Sequence, residues 1–414
     1  MGKILFIEKA AQVVTPLGNA AAFGEAMNCV KVYENCSVLI EEGVIAAIGT
    51  DITVPEGLLP GQIIAGAGKT VLPGFIDSHT HFIFGGYRAE EFSWRLRGDS
   101  YMDIMNRGGG IVNTVRDTRA ASLDELVALG RKRLDSMLSF GVTTVEGKSG
   151  YGLDKDTELK QLDAMTRLNE EHPVDIVKTF LGAHAVPLEY KGRTNEYIDF
   201  MLQEVLPIVA REKMAEYCDV FCEKGVFSIE ESRKILMAAK TLGMKLKIHA
   251  DEIVSLGGGE LAGELCAQSG DHLLHVSDAG IKKMAANGVI STLLPTTAFC
   301  LREPFAPARK IIDAGGAVAL ATDFNPGSGF TNSVPLMFAL AAIYMNMTIE
   351  EAITALTLNG AAAVGRADTI GTIEVGKKGD VVLLKFPSYK YLPYHTGINI
   401  VGTVIKNGTV VYHQ

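Results

Sequence analysis

The run Val71-Leu-Pro-Gly-Phe-Ile-Asp-Ser-His79-Thr-His81 sets the expectation for the whole chain. It is apolar as far as Ile76, turns polar at Asp77, and ends on two imidazoles two positions apart. Alternate side chains of a strand share a face, so His79 and His81 point the same way. With nine His in 414 residues, composition alone supplies only about 0.2 such pairs by chance. An apolar strand that ends in paired polar groups suits a parallel barrel, whose catalytic residues gather at the C-terminal ends of its strands.

Working outward, seven more apolar runs repeat the pattern: Val142–Glu146, Asp175–His184, Cys218–Glu223, Leu246–Glu252, His272–Val276, Val289–Pro295 and Ala317–Asp323. With Phe75–His81 they make eight strand candidates, separated by amphipathic stretches. Ser122/Glu125, Ser228/Glu231 and Thr348/Glu351 have capping-box spacing and mark helix starts. Gly141, Gly243, Gly270, Gly288 and Gly315 sit where a left-handed residue should stop a helix before the next strand. The pattern predicts a (β/α)8 TIM barrel over residues 73–370. Short strand-like runs broken by Gly, Pro and Asn fill 1–72 (Ile4–Ile7, Ser37–Ile40, Val44–Ile48). The same grammar returns over 371–414, at Gly371–Gly376, Asp380–Lys385 and Gly402–Tyr412. The two ends are expected to form one small β domain.

Lys+Arg 39 against Asp+Glu 48 leaves a net charge of −9, which offers no counterion-release drive toward nucleic acid or anionic membrane. The six cysteines are too sparse for a disulfide framework in a chain long enough to build its own core, and a reducing cytoplasm suits them. Met1 to Phe6 is too short an apolar run for a secretory signal, and Val334 to Met345 too short to span a bilayer. A soluble protein acting on a small molecule is expected.

Other strand ends carry matching chemistry. Lys245-Leu-Lys-Ile-His249-Ala-Asp-Glu252 places an imidazole at the mouth and a carboxylate three residues on. Ala317-Val-Ala-Leu-Ala-Thr-Asp323 is a greasy run ending in an acid, costly to bury without a cation or donors. His79, His81, His249 and Asp323 together make an N3O set suited to one Zn²⁺ or Fe ion with room for water. Of His272 and His275, three apart on the expected sixth strand, only one can face the mouth; His272 is preferred. Gly68-Lys69-Thr70 lacks the upstream glycine of a phosphate loop and reads as a turn. Cys218 and Cys222 lack the second pair of a structural zinc site.

These motifs, with the split β domain, resemble the amidohydrolase superfamily over nearly the whole chain. Gly147-Lys-Ser-Gly-Tyr151-Gly-Leu, Leu181-Gly-Ala-His184-Ala-Val-Pro and Ala321-Thr-Asp323-Phe-Asn325-Pro-Gly327-Ser328 resemble, more narrowly, members that open lactam rings. The resemblance implies hydrolysis of 4-imidazolone-5-propanoate to N-formimidoyl-L-glutamate, a step of histidine degradation, by a homodimer with one metal per subunit. It makes His79, His81, His249 and Asp323 the ligands and places Arg88, Tyr151, His184, Glu252, Asn325, Gly327 and Ser328 at the substrate, with His272 close by. Asp323, Glu252 and His272 are then the catalytic groups. Arg88 suits capture of the propionate carboxylate. Relatives with two metals use a bridging group at the fourth strand end, here Glu223 and Lys224. The rival reading is a heterocycle deaminase of the same superfamily, against which Arg88 and the 325–328 loop argue. A metal-free scaffold would need lost ligands, and all four positions are intact.

Overall fold

The computed structural model describes residues 3–99, 107 and 109–414; positions 1–2, 100–106 and 108, some within the ranges above, lie outside the described residues. Two sheets organise them. The first takes strands from both chain ends: β1 (Ile4–Pro16), β2 (Val30–Glu41), β3 (Val44–Gly49), β4 (Ile63–Ala65) and β5 (Thr70–Pro73). The second holds β6 (Phe75–Asp77), β7 (Val142–Lys148), β8 (Asp175–Ala183), β9 (Tyr217–Cys222), β10 (Lys245–Ala250), β11 (Ser269–His272), β12 (Ile290–Leu293) and β13 (Ala317–Leu320). β14 (Val381–Leu384), β15 (Val401–Lys406) and β16 (Thr409–His413) return to the first sheet.

β14 runs antiparallel to β5 while β5 pairs with β1, so the C-terminal strands complete a sheet begun at the N-terminus. Its side chains enclose Leu5, Val13, Val38, Val71, Leu383 and Ile405, the small β-sandwich made by both ends. Gly371–Gly376 forms no strand, contrary to expectation. Its apolar member Ile373 is buried in that core, but its N–H goes to the Thr15 hydroxyl at 2.8 Å rather than to a ladder.

β6 to β13 are parallel and in sequence order, the (β/α)8 barrel. Their outward side chains, such as Leu246 and Ile248, pack beneath the helices, as strands buried on both faces require. All three expected capping boxes form, at Ser122, Ser228 and Thr348. Gly141, Gly243, Gly288 and Gly315 have positive φ after their helices.

Several strands end short of the expected bounds. The first stops at Asp77, so His79 and His81 follow it, and those expected over 246–252 and 317–323 stop at Ala250 and Leu320; the sixth differs most. The sixth barrel strand ends at His272 instead of beginning there, and Gly270 lies inside it. The seam between β13 and β6 is closed beyond the strand ends. Asp323 N–H donates to His79 O at 3.0 Å and His81 N–H to Phe324 O at 2.9 Å. Below them the buried Asp77 carboxylate accepts from Thr322 N–H at 2.9 Å and from its hydroxyl at 2.6 Å.

Candidate metal centre and substrate site

Four side chains converge at the barrel mouth. His79 and His81 follow β6, His249 lies on β10, and Asp323 follows β13. Asp323 is in a left-handed conformation (φ 49°), which turns its carboxylate inward. Asp323 Oδ1 lies 3.5 Å from His79 Nε2 and 3.4 Å from His81 Nε2. His81 Nε2 lies 3.4 Å from His249 Nε2. All four side chains are buried.

Each group is held from behind. His79 Nδ1 is 2.6 Å from Asp271 Oδ2, and His249 Nδ1 is 2.9 Å from Asp219 Oδ2. Asp323 Oδ2 accepts from the Thr297 hydroxyl at 2.8 Å. A carboxylate behind Nδ1 keeps the proton there and leaves the Nε2 lone pair pointing forward. Burial holds His79 and His81 well below the usual imidazole range, helped by Lys148 and His184 respectively. His249 moves up: burial opposes its charge, but Asp219 outweighs burial. His79 Nε2 is fully buried without a partner, a cost that a cation accepting its lone pair removes. The donor set therefore fits a metal ion. Nothing in the sequence pattern singled out Asp219 and Asp271. The available signal was an acid inside a strand interior, where it needs a partner.

Beside this cluster, His272 and Leu273 both have positive φ (72° and 60°), swinging the His272 ring over the mouth. Its centroid is 5.4 Å from His79 and 5.1 Å from His249, and both its nitrogens lack partners. Its Nε2 lies 3.5 Å from Glu252 Oε2. His275 lies beyond the strand, half-buried, with its backbone N–H on Asp251 O at 2.9 Å.

Glu252 is placed by its neighbours. Asp251 Oδ1 accepts from the N–H groups of Leu256, Gly257 and Gly258 at 2.8, 2.9 and 3.1 Å, and its Oδ2 from Gly259 at 2.9 Å. Glu223 Oε2 accepts from Ile253 N–H at 2.8 Å and its Oε1 from Lys224 N–H at 2.8 Å. The residues on either side of Glu252 are thus fixed by buried carboxylates. Both Glu223 oxygens thus accept from backbone, and Lys224 is exposed. Burial, then the charge of Asp323, pushes Glu252 up to about 8. Asp323 itself is pushed by burial up to about 6.

The remaining candidates form the rim. The His184 ring stacks on His81 at 5.0 Å and sits 5.2 Å from Tyr151; its Nδ1 donates to Gly150 O at 3.0 Å. Buried Glu158 accepts from Gly150, Gly152 and Leu153 N–H, fixing the loop that carries Tyr151. Asn325 Oδ1 accepts from Gly327 and Ser328 N–H, both at 2.8 Å, so its side chain shapes the loop. A Cβ on Gly327 would lie 2.4 Å from Arg88 Nη1, so a side chain there would displace the guanidinium. Arg88 Nε and Nη2 both donate to Glu91 Oε2, at 2.9 and 2.8 Å. That edge of the guanidinium is taken by Glu91.

A parallel barrel with converging imidazoles at its mouth defines a metal-dependent hydrolase, and residues 70–411 match the family model described as "Amidohydrolase family". The chain is 67% identical to an imidazolonepropionase of Clostridium tetani (strain Massachusetts / E88), covering 99% of this chain and 98% of the relative. It is 60% identical to one of Parabacteroides distasonis, covering 98% of each. The chain belongs to the amidohydrolase family and, within it, to the imidazolonepropionases. Among solved structures it superposes on atrazine chlorohydrolase from Arthrobacter aurescens TC1 complexed with zinc (TM-score 0.73, 17% identity, 99% and 95% coverage). It also superposes on an adenosine deaminase from Xanthomonas campestris with bound zinc (TM-score 0.71, 19% identity, 99% and 93% coverage). These likenesses show the fold. No helix among the described residues is long and apolar enough to cross a membrane.

Proposed function

We propose that the chain opens the lactam ring of 4-imidazolone-5-propanoate to N-formimidoyl-L-glutamate, with one Zn²⁺ or Fe ion per subunit held by His79, His81, His249 and Asp323. Residues 73–370 are the catalytic unit, and 1–72 with 371–414 its composite β domain. The observation that carries the substrate assignment is Arg88, a cation fixed by Glu91 against Gly327 at the rim. A substrate bearing a carboxylate uses it, whereas a heterocycle losing an amino group does not need it. The six free cysteines accord with a reducing cytoplasm.

When bound, the ion supplies a water acidified toward pH ~7 and polarisation of the lactam carbonyl. The residues supply positioning and proton transfer. Asp323, with its carboxylate among the ligand imidazoles, is placed to accept the proton of the attacking water. Glu252, pushed up to about 8, holds a proton at neutral pH and delivers it to the departing ring nitrogen. His272, buried with unpartnered nitrogens, is available to hydrogen-bond the developing oxyanion. Arg88 takes the propionate, Tyr151 and His184 flank the ring, and the Asn325–Ser328 loop closes the carboxylate end.

The test follows ring absorbance and ammonia together on freshly generated imidazolone propionate. Ring loss without ammonia, abolished by chelator and restored by metal, is expected. Ammonia release from an amino-substituted heterocycle, with this substrate untouched, would overturn the reading.

A further inference from the structure

Beneath the imidazoles, five buried charged side chains form one network: Glu146 and Lys148 of β7, Asp219 of β9, Lys247 of β10 and Asp271 of β11. Strand alternation puts them there, since 146 and 148 share a face, and Lys247 shares one with His249. Lys148 is the hub. Its Nζ lies 2.7 Å from Asp219 Oδ2, 3.1 Å from Glu146 Oε1 and 3.6 Å from Asp271 Oδ2. Those two aspartate oxygens are the very atoms that meet His249 Nδ1 and His79 Nδ1. Lys247, equally buried, meets Glu146 Oε2 at 2.9 Å and Ser78 O at 3.3 Å instead.

We propose that Lys148 is a positioning residue for the metal centre. Its ammonium hydrogen-bonds Asp219 Oδ2 at 2.7 Å and attracts Asp271 Oδ2 across 3.6 Å, so that each aspartate presents its imidazole with Nε2 forward. The inference rests on His79 and His249 being ligands. An ammonium has donors and no acceptor, which suits a point among three carboxylates, two of them hydrogen-bonded to it. Without it, two neighbouring anions lose their common cation; Asp219 keeps Val220 N–H at 2.7 Å and His249 N–H at 3.2 Å on Oδ1, so the loss falls on the Oδ2 atoms that face the rings. Carboxylates behind ligand histidines are typically worth about 10–100-fold in metal affinity, and one lysine here governs two of them. His79, Glu146 and Asp271 lie close enough together to bind a cation themselves. In this chain, Lys148 and Lys247 supply that positive charge.

The test replaces Lys148 with Met, which keeps volume and removes charge. The dissociation constant for Zn²⁺ is measured by chelator competition, and the visible spectrum of the Co²⁺ form is recorded beside it. Lys148→Met is expected to weaken Zn²⁺ at least ~10-fold and to shift the Co²⁺ bands, with a clearly smaller effect from Lys247→Met. If the unaltered protein binds no metal, the ligand assignment fails. If it binds metal and Lys148→Met binds equally with an unchanged Co²⁺ spectrum, the positioning role fails. Equal losses in the two lysine variants would also overturn it. Should Lys148→Met not fold, Lys148→Met/Glu146→Gln removes one cation and one anion together. It leaves the two aspartates without their ammonium but keeps the buried charge balance, and the same two readouts decide.

Discussion

Asp323 donates its backbone N–H to His79 O at 3.0 Å while its carboxylate stands 3.5 Å from the ring of the same histidine. The barrel seam and the cluster proposed to hold the metal are therefore one construction, with backbone closing the barrel and side chains facing the mouth. The two can be separated by mutation. Asp323→Ala should leave the seam intact, because its bonds are backbone, and cost about 1 kcal/mol for the Thr297 hydroxyl left without its acceptor. Metal per chain after gel filtration should fall sharply, and kcat by ~10³-fold or more if one group serves as ligand and proton acceptor. Full occupancy in a folded variant would remove Asp323 from the ligand set.

Arg88→Ala should act on binding. The lost contact is a charge-assisted pair worth about 1.5–3 kcal/mol, so KM should rise roughly 10–100-fold with kcat little changed. Glu91 keeps Gly110 N–H at 2.9 Å and Asn113 Nδ2 at 2.8 Å, so the loop should not collapse with the arginine. Equal losses in kcat and KM would show that Arg88 orders the reacting centre rather than the propionate.

Much of this site was legible because strand chemistry is local. The two-residue spacing of His79 and His81, the acid at the end of the Ala317–Asp323 run, and the capping boxes are each read from a few neighbouring positions. The sixth strand was misplaced for a physical reason. Ser269-Gly-Asp-His272 contains no large apolar residue, because Met284 and Ala262 press against Gly270, leaving 2.9 and 3.3 Å to a Cβ built there. The apolar Leu273-Leu274 that follows looks more like a strand and is a turn. Asp219, Asp271 and Lys148 were invisible for another reason: each gains its meaning from a partner on a different strand.

Glu252 should set the alkaline limb of the rate profile. With burial pushing it up to about 8, it carries a proton at neutral pH and loses it as pH rises through that value. An acid that must be protonated gives activity below its pKa and loss above it. The cation in front of His249 draws the limb downward from there. Glu252→Gln should lower kcat by about 10²–10⁴-fold and abolish this limb, with KM less affected. A limb unchanged in Glu252→Gln would assign it to another group.

Far from the mouth, Asp175 begins β8 with its Oδ2 2.8 Å from Lys406 Nζ and 3.3 Å from Lys378 Nζ, joining the barrel to the sheet of the chain ends. Burial raises its pKa, but Lys406 and then Lys378 outweigh burial and hold it below the ordinary carboxylate value. A depressed carboxylate contributes stability above its unfolded pKa, about 3.9, and that contribution is lost as pH falls through the folded value. Asp175 is 41% exposed, and Lys406 also has Asp380 at 2.6 Å, so solvent and the second partner limit the effect to roughly 0.5 kcal/mol. Asp175→Asn should therefore lower Tm by only ~1–2 °C at neutral pH. The gap should narrow below about pH 4 and close once Asp175 is protonated in the unaltered protein. A gap that stays constant through that range would mean the asparagine disturbs packing at the start of β8 rather than removing a charge.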